Sequence, residues 1–596
     1  NMPAVLGPVH TKDHQKPITK GILLFVTLLS LPLLNACSQN SAQQKSLPLS
    51  EEAPKADSFF NEGKIEKLLN AEFTLQREGP NKAFEPFYEL ASQSGDIALI
   101  ERLTHIAVVS QNPIYIERSA NLWLSAAPTS ETAYSLKLQI LIKGNRAEEV
   151  TTLLTNAMRH KVSLRFLPLY LEDNVRDGDQ VNTIEEAISA LPPESKNNQH
   201  IQLSYAHLLL LSGKYQLAID TSEKLLTKAN TDKNEALYLI LAFSQRNLGL
   251  IDDAIKTLQT ASKHFPNNTR VITPLIDFLV ENEQSTLASE TYQKTDLNSP
   301  EKLQVGINLM RTLLEHNQPG LALSTANSLP EKQLGLSNQI QYLTAIALAQ
   351  LDKKEQAIEF MKNVEGNLQT NATNQMALWF YDQGKENGIN AMVLNRTPRE
   401  SMPEQVAAIS RLHEKKGNNN LSFELVRDAL VALPESDALR YHKALLADTL
   451  GNWKITEKEL KILLQKDPDN PQYLNALGYT LLTRTNRIEE AMKLIESAYE
   501  KADDDPAIID SLGWGFFLKG ELEQSSYYLK KAWSILPDAE IAAHYGESLW
   551  KQRHYKEAID VWEAALEISP DTPLLLDTIQ RLSPSLLEEQ KQDKPS

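Results

Sequence analysis

The chain has 596 residues, 42% of them apolar, with a formal net charge of −17 and one cysteine. That length and apolar content can bury sizeable cores, while the acidic balance opposes binding to nucleic-acid phosphates. A single thiol excludes internal disulfides and cysteine-based zinc sites.

Taken in chain order, Lys12, Lys16 and Lys20 precede the apolar run Gly21 to Leu34, which is followed by Asn35, Ala36 and Cys37. A basic stretch, an apolar stretch and a small residue before the cut describe a secretory signal peptide over residues 1–36. The run is shorter than the ~20 residues that span a bilayer, and Pro32 interrupts it. The ending Leu34-Asn35-Ala36-Cys37 resembles the bacterial lipobox, which implies acylation of Cys37 and removal of the signal. Several acyl chains anchor stably where one would be marginal, each buried CH₂ contributing about 0.8 kcal/mol. Ser38, rather than Asp, after the cysteine implies an outer-membrane, periplasm-facing location.

Residues 37–57 are polar with scattered Pro and are expected to form a tether. Beyond them Ala, Leu, Glu, Lys and Gln recur and period-two Val, Ile or Thr runs are scarce, so an all-α fold is predicted. Divergent helical hairpins are expected over 58–198, about eleven repeats with a capping helix over 199–582, and a disordered tail over 583–596. Pro192-Pro193 and the stretch 395–403 are the expected bends.

Self-similarity near 34 residues marks stacked helix-turn-helix repeats. Leu477-Gly478, Leu512-Gly513 and Tyr545-Gly546 sit mid-way along successive first helices; Ala491, Ser525 and Ala558 follow in the second helices, and Pro537 and Pro570 close the last two units. These units resemble the tetratricopeptide pattern, which implies a right-handed α-solenoid of helical hairpins. Small residues continue backward through Thr456, Ser422, Ala391, Ala357, Ala322, Ala288, Ala254 and Ala218, with Ala187, Val150, Ile116 and Ala83 as fainter continuations. They are expected where the two helices of a hairpin cross most closely.

The sequence carries no H-E-x-x-H, P-loop, G-x-S-x-G or dinucleotide fingerprint, and its twelve histidines lack ligand spacing. His544 and His554 are read as surface or core residues, and acidic pairs such as Glu489-Glu490 as helix-start residues that complement the dipole. The expectation is a binding protein, not an enzyme, without cofactor or metal. In a solenoid the stacked first helices line a groove. Counting from the mid-helix glycine, its candidates are Asn475, Tyr479, Asp510, Trp514, Phe517, Glu547, Trp550 and Lys551. Tyr479, Trp514 and Trp550 are candidate aromatic anchors. Tyr479, Trp514 and Glu547 stand where carboxylate-clamp repeats carry Asn, which disfavours capture of chaperone tails.

The strings LLNAEFTLQREGP, IERLTHIAVVSQNP and LWLSAAP near one end, and LNALGYTLL, IIDSLGWGFFLKG and AAHYGESLWKQ near the other, resemble one group in particular. These are outer-membrane tetratricopeptide lipoproteins that act as adaptors for a periplasmic carboxyl-terminal-processing protease and deliver cell-wall (peptidoglycan) hydrolases to it. The resemblance implies a protease-docking helix around Phe59, Leu68, Leu69 and Phe73, and a substrate-receiving interior. The alternative is a scaffold for exopolysaccharide export or outer-membrane assembly.

Overall fold

The computed structural model describes residues 62–175, 177–227, 234–330 and 336–587. The predicted signal peptide, Cys37, the tether and Phe59 lie outside the described residues. Every regular element within them is helical, and no helix among them is long and apolar enough to cross a membrane. The chain is an all-α solenoid of tetratricopeptide-type hairpins.

The described residues group into two compact units, 62–330 and 336–587. The division falls at neither Pro192-Pro193 nor 395–403. In the first unit successive helices pair into eight hairpins, from Glu62–Glu78 with Pro80–Ser94 to Ser299–Glu315 with Pro319–Asn327. In the second, seven hairpins run from Ser337–Gln350 with Lys354–Met361 to Ala539–Lys551 with Tyr555–Ile568, and helix Pro573–Leu582 caps the last. The chain then turns once more into helix, and Leu586 is buried at 4% exposure against the cap core. Residues 583–587, expected to belong to a disordered tail, are therefore part of the packed end, because Leu586 finds an apolar surface to cover.

Local chemistry sets the helix limits. Each of the last three first helices starts on an Asn or Asp cap, followed by Pro in two of them: Asn470 accepts from the amides of Gln472 and Tyr473 ahead of Pro471, and Asp505 accepts from Ala507 and Ile508 around Pro506. Such a cap contributes about 1 kcal/mol, and Pro at the first position gives up no bonded amide. Inside most hairpins the chain reverses through one left-handed residue, as at Gly451 (φ 77°) and Gly520 (φ 82°).

At the helix crossings Ala218, Ala254, Ala288, Ala322, Ala357, Ala491 and Ala558 are fully buried. Where the ladder departs from Ala, the substituted hydroxyl finds a partner across the crossing: Thr456 Oγ1 donates to the Ala444 carbonyl at 3.0 Å, and Ser422 meets Ser410 at 2.5 Å. Two rungs need correction. Ala391 is exposed, and its neighbour Asn390 faces inward instead, donating to the Leu421 carbonyl and accepting from His413 Nε2 at 2.9 Å. Ile116 is half-buried, whereas Ser119 and Ala120 in the same helix are fully buried. At Ala391 the helix is turned so that the adjacent residue meets the crossing; at Ile116 the fully buried position lies one turn farther along the same face.

Candidate functional site

The last three first helices, Pro471–Arg484, Pro506–Lys519 and Ala539–Lys551, lie side by side, and in each a glycine lets the helix approach its own second helix. A Cβ on Gly478 would stand 2.6 Å from Ile495 Cγ1 and 3.0 Å from the Ala491 carbonyl. One on Gly513 would stand 2.7 Å from Leu529 Cγ, and one on Gly546 would run into the Trp562 indole. That packing fixes which residues of the first helices are left on the inner surface.

Four of the eight candidate groove residues gather around a fifth side chain that the glycine count missed. Trp514 stacks on Phe517 (ring centroids 4.6 Å apart, 10° between planes) and on His544 (4.3 Å, 21°). Tyr479 closes on the same imidazole at 6.3 Å, and His544 Nδ1 donates to Asp510 Oδ2 at 2.9 Å. His544 lies two residues before Gly546, whereas a count of three reaches Ala543, a core residue. The signal for it was a polar residue beside that position on a first helix.

The cluster is largely enclosed, with His544 at 3% and Asp510 at 6% exposure. Burial works against a charged imidazole, but the charge and hydrogen bond of Asp510, with Glu540 and Glu547 nearby, outweigh it and raise His544 above its ordinary value. Burial, with Asp510 adding to it, also pushes the Tyr479 hydroxyl well above the usual phenol range. Nearby, Asn475 is buried and its Oδ1 has no hydrogen-bond partner. The arrangement sets half-buried rings over an enclosed imidazole–carboxylate pair, with one unpartnered amide oxygen buried nearby.

The other candidates are placed elsewhere. Trp550 packs against Tyr555 (4.6 Å) and Trp562 (5.6 Å) of its own hairpin, so it serves the core and not the ring cluster. Glu547 is paired with Arg581 of the capping helix at 2.6 Å, and Lys551 is exposed.

At the other end of the described chain, helix Glu62–Glu78 has two apolar faces. Ala71 is buried and Leu68 and Leu75 pack against the core of the first hairpins. Leu68 therefore faces the hairpin core and lies outside the exposed stripe. Ile65, Leu69 and Phe73 are 41%, 52% and 50% exposed, and their spacing of four lines them up along the helix. Ile65 was absent from the candidates; its place one turn before Leu69 was the available signal.

Tetratricopeptide-repeat signatures match residues 235–268 and 441–506. The chain carries tetratricopeptide repeats over these stretches. A tetratricopeptide repeat-containing protein of Pseudomonas aeruginosa is 40% identical over 126 residues, 21% of this chain and 21% of the relative, so the match spans about a fifth of that relative's length. Among solved structures, a tetratricopeptide protein of Thermus thermophilus is 20% identical, covering 31% of this chain and 99% of its own with a TM-score of 0.28. Yeast Tom70 is 12% identical, covering 89% of this chain and 97% of its own with a TM-score of 0.31. Tetratricopeptide arrays are scaffolds for protein–protein interaction, and the repeats here present both the ring cluster and the N-terminal stripe on that scaffold.

Proposed function

We propose that this tetratricopeptide protein is a lipid-anchored adaptor on the periplasmic face of the outer membrane. It holds a carboxyl-terminal-processing protease through helix Glu62–Glu78 and brings peptidoglycan hydrolases to it along the inner surface of its repeats. The observation that carries the reading is the Ile65, Leu69 and Phe73 stripe, an apolar face left open on a helix whose opposite face is already packed. Open stripes of this kind mark protein-binding surfaces, and the strings on and after this helix are among those that resemble the adaptor group. Holding two proteins on one scaffold raises their effective concentration without any catalytic group in the adaptor.

The test is capture of the purified protease by the chain and by a Leu69→Asp/Phe73→Asp variant, with helicity and melting temperature recorded for both. The reading expects capture by the parent chain and a loss of more than ~10-fold in the variant, since buried apolar anchors dominate such interfaces. Equal capture by a folded variant removes the docking helix, and recovery of export or assembly machinery from envelopes instead of the protease removes the adaptor role.

A further inference from the structure

In the first unit one arginine reaches across several repeats. Arg270, at the start of helix Thr269–Glu281, places Nη1 2.6 Å from Glu235 Oε1 and Nη2 3.0 Å from Glu172 Oε2. Glu235 belongs to the preceding hairpin, but Glu172, in helix Phe166–Asn174, belongs to the hairpin three units earlier. Hairpins in a solenoid contact their neighbours, and packed helices stand 8–10 Å apart. A direct bond between the fourth and seventh hairpins therefore spans the intervening first helices and fixes how tightly this stretch curves.

The span covers a recess lined by Pro168, Leu203, His207, Ala236, Leu239 and Ile240, closed down to room for about one water. The lining is mostly apolar; His207 is held neutral beneath it, its pKa lowered to about 4 by burial and by the Arg270 charge. The charges over the recess are incompletely matched. Arg270 Nε has no partner, and burial raises the Glu172 carboxyl even against Arg270, with Asp173 and Glu235 adding like charge.

We propose that the Glu172–Arg270 pair is a clasp that holds this stretch of the solenoid closed, and that its release opens the apolar recess over His207 to solvent. Closure replaces hydration of the Glu172 carboxylate by a second ion pair on Arg270, a balance that desolvation keeps close. Opening hydrates the Glu172 carboxylate, leaves Arg270 on Glu235, and exposes Leu203, Leu239 and Ile240. The clasp thus gives this segment two discrete curvatures.

The experiment compares the full chain with Glu172→Gln, Arg270→Gln and a Glu172→Cys/Arg270→Cys form (in a Cys37→Ser background) bridged by a short bismaleimide. Readouts are amide exchange in helices Gln199–Leu211 and Glu235–Asn247 and fluorescence of anilinonaphthalene sulfonate, which reports exposed apolar surface. The clasp expects each single variant to raise exchange there by roughly tenfold and dye binding severalfold, and the bridge to return both to the parent level. Parent-like exchange and dye binding in folded single variants overturns it. Should the single variants lose their fold, the double cysteine form decides: exchange that is the same before and after bridging overturns the clasp equally.

Discussion

Asp510 and His544 stand 34 residues apart, on neighbouring first helices, and meet at 2.9 Å. Both are buried, and the imidazole also lies flat against Trp514. The pair therefore ties two repeats together at the point where the aromatic rings assemble.

Because the folded protein raises the His544 pKa, the pair's contribution to stability is fully present below the ordinary histidine value of 6.5 and is lost as pH rises through the raised value. Asp510→Asn should accordingly lower the melting temperature more at about pH 5.5 than at about pH 8.5. Thermal melts of parent and variant at the two pH values check this, and an equal gap at both sinks the linkage.

Glu459 is 4% exposed and takes ion pairs from both Arg440 and Lys443 at 2.7 Å. Its burial favours the neutral acid, but the two cations outweigh that and hold the carboxyl below its usual range. Glu459→Ala leaves two partly buried cations without their partner and should cost about 3–5 kcal/mol by denaturant titration. The contribution of the triad is present above the ordinary carboxylate value and lost as pH falls through the lowered one, so the gap between parent and variant should close in acid.

A methyl group on Gly478 meets the Ala491 carbonyl at 3.0 Å, a backbone atom that cannot rotate away. Gly478→Ala should destabilise by ~1–3 kcal/mol, as should Ala558→Leu at a fully buried crossing. Gly515→Ala should be milder, because the atoms it meets belong to the flexible Met492 side chain and to Leu482. Chemical denaturation of the three variants gives the order, and a Gly515 variant as weak as the Gly478 one contradicts the crossing argument.

Cys37→Ser should move the protein from the membrane fraction to the soluble periplasmic fraction and abolish incorporation of a clickable palmitate analogue. Retention in the membrane after the substitution contradicts lipid anchoring at Cys37.

The repeats were legible because their signal is local and recurs. Gly478, Gly513 and Gly546, with Ala491 and Ala558 opposite them, are required by close approach within one hairpin, and that approach depends only on helix geometry. The same logic failed by one residue at Ala391, where the helix is rotated so that Asn390 faces inward. Tyr479, Asp510, Trp514 and Phe517 were reached by the same counting, since a fixed offset from the crossing glycine points to one side of the first helix.

By itself the sequence determined the helical periodicity, the capped starts of the first helices and the small residues at the crossings, all set by contacts within a turn or within one hairpin. Only the tertiary structure decided what the outward residues meet. It placed His544 between Asp510 and Trp514, turned Trp550 into its own hairpin, gave Glu547 to Arg581 and carried Arg270 to Glu172. Apart from the Trp550 contact, which lies within one hairpin, those outcomes depend on the rotation of each hairpin against the next, set by packing between repeats that a 34-residue period does not encode.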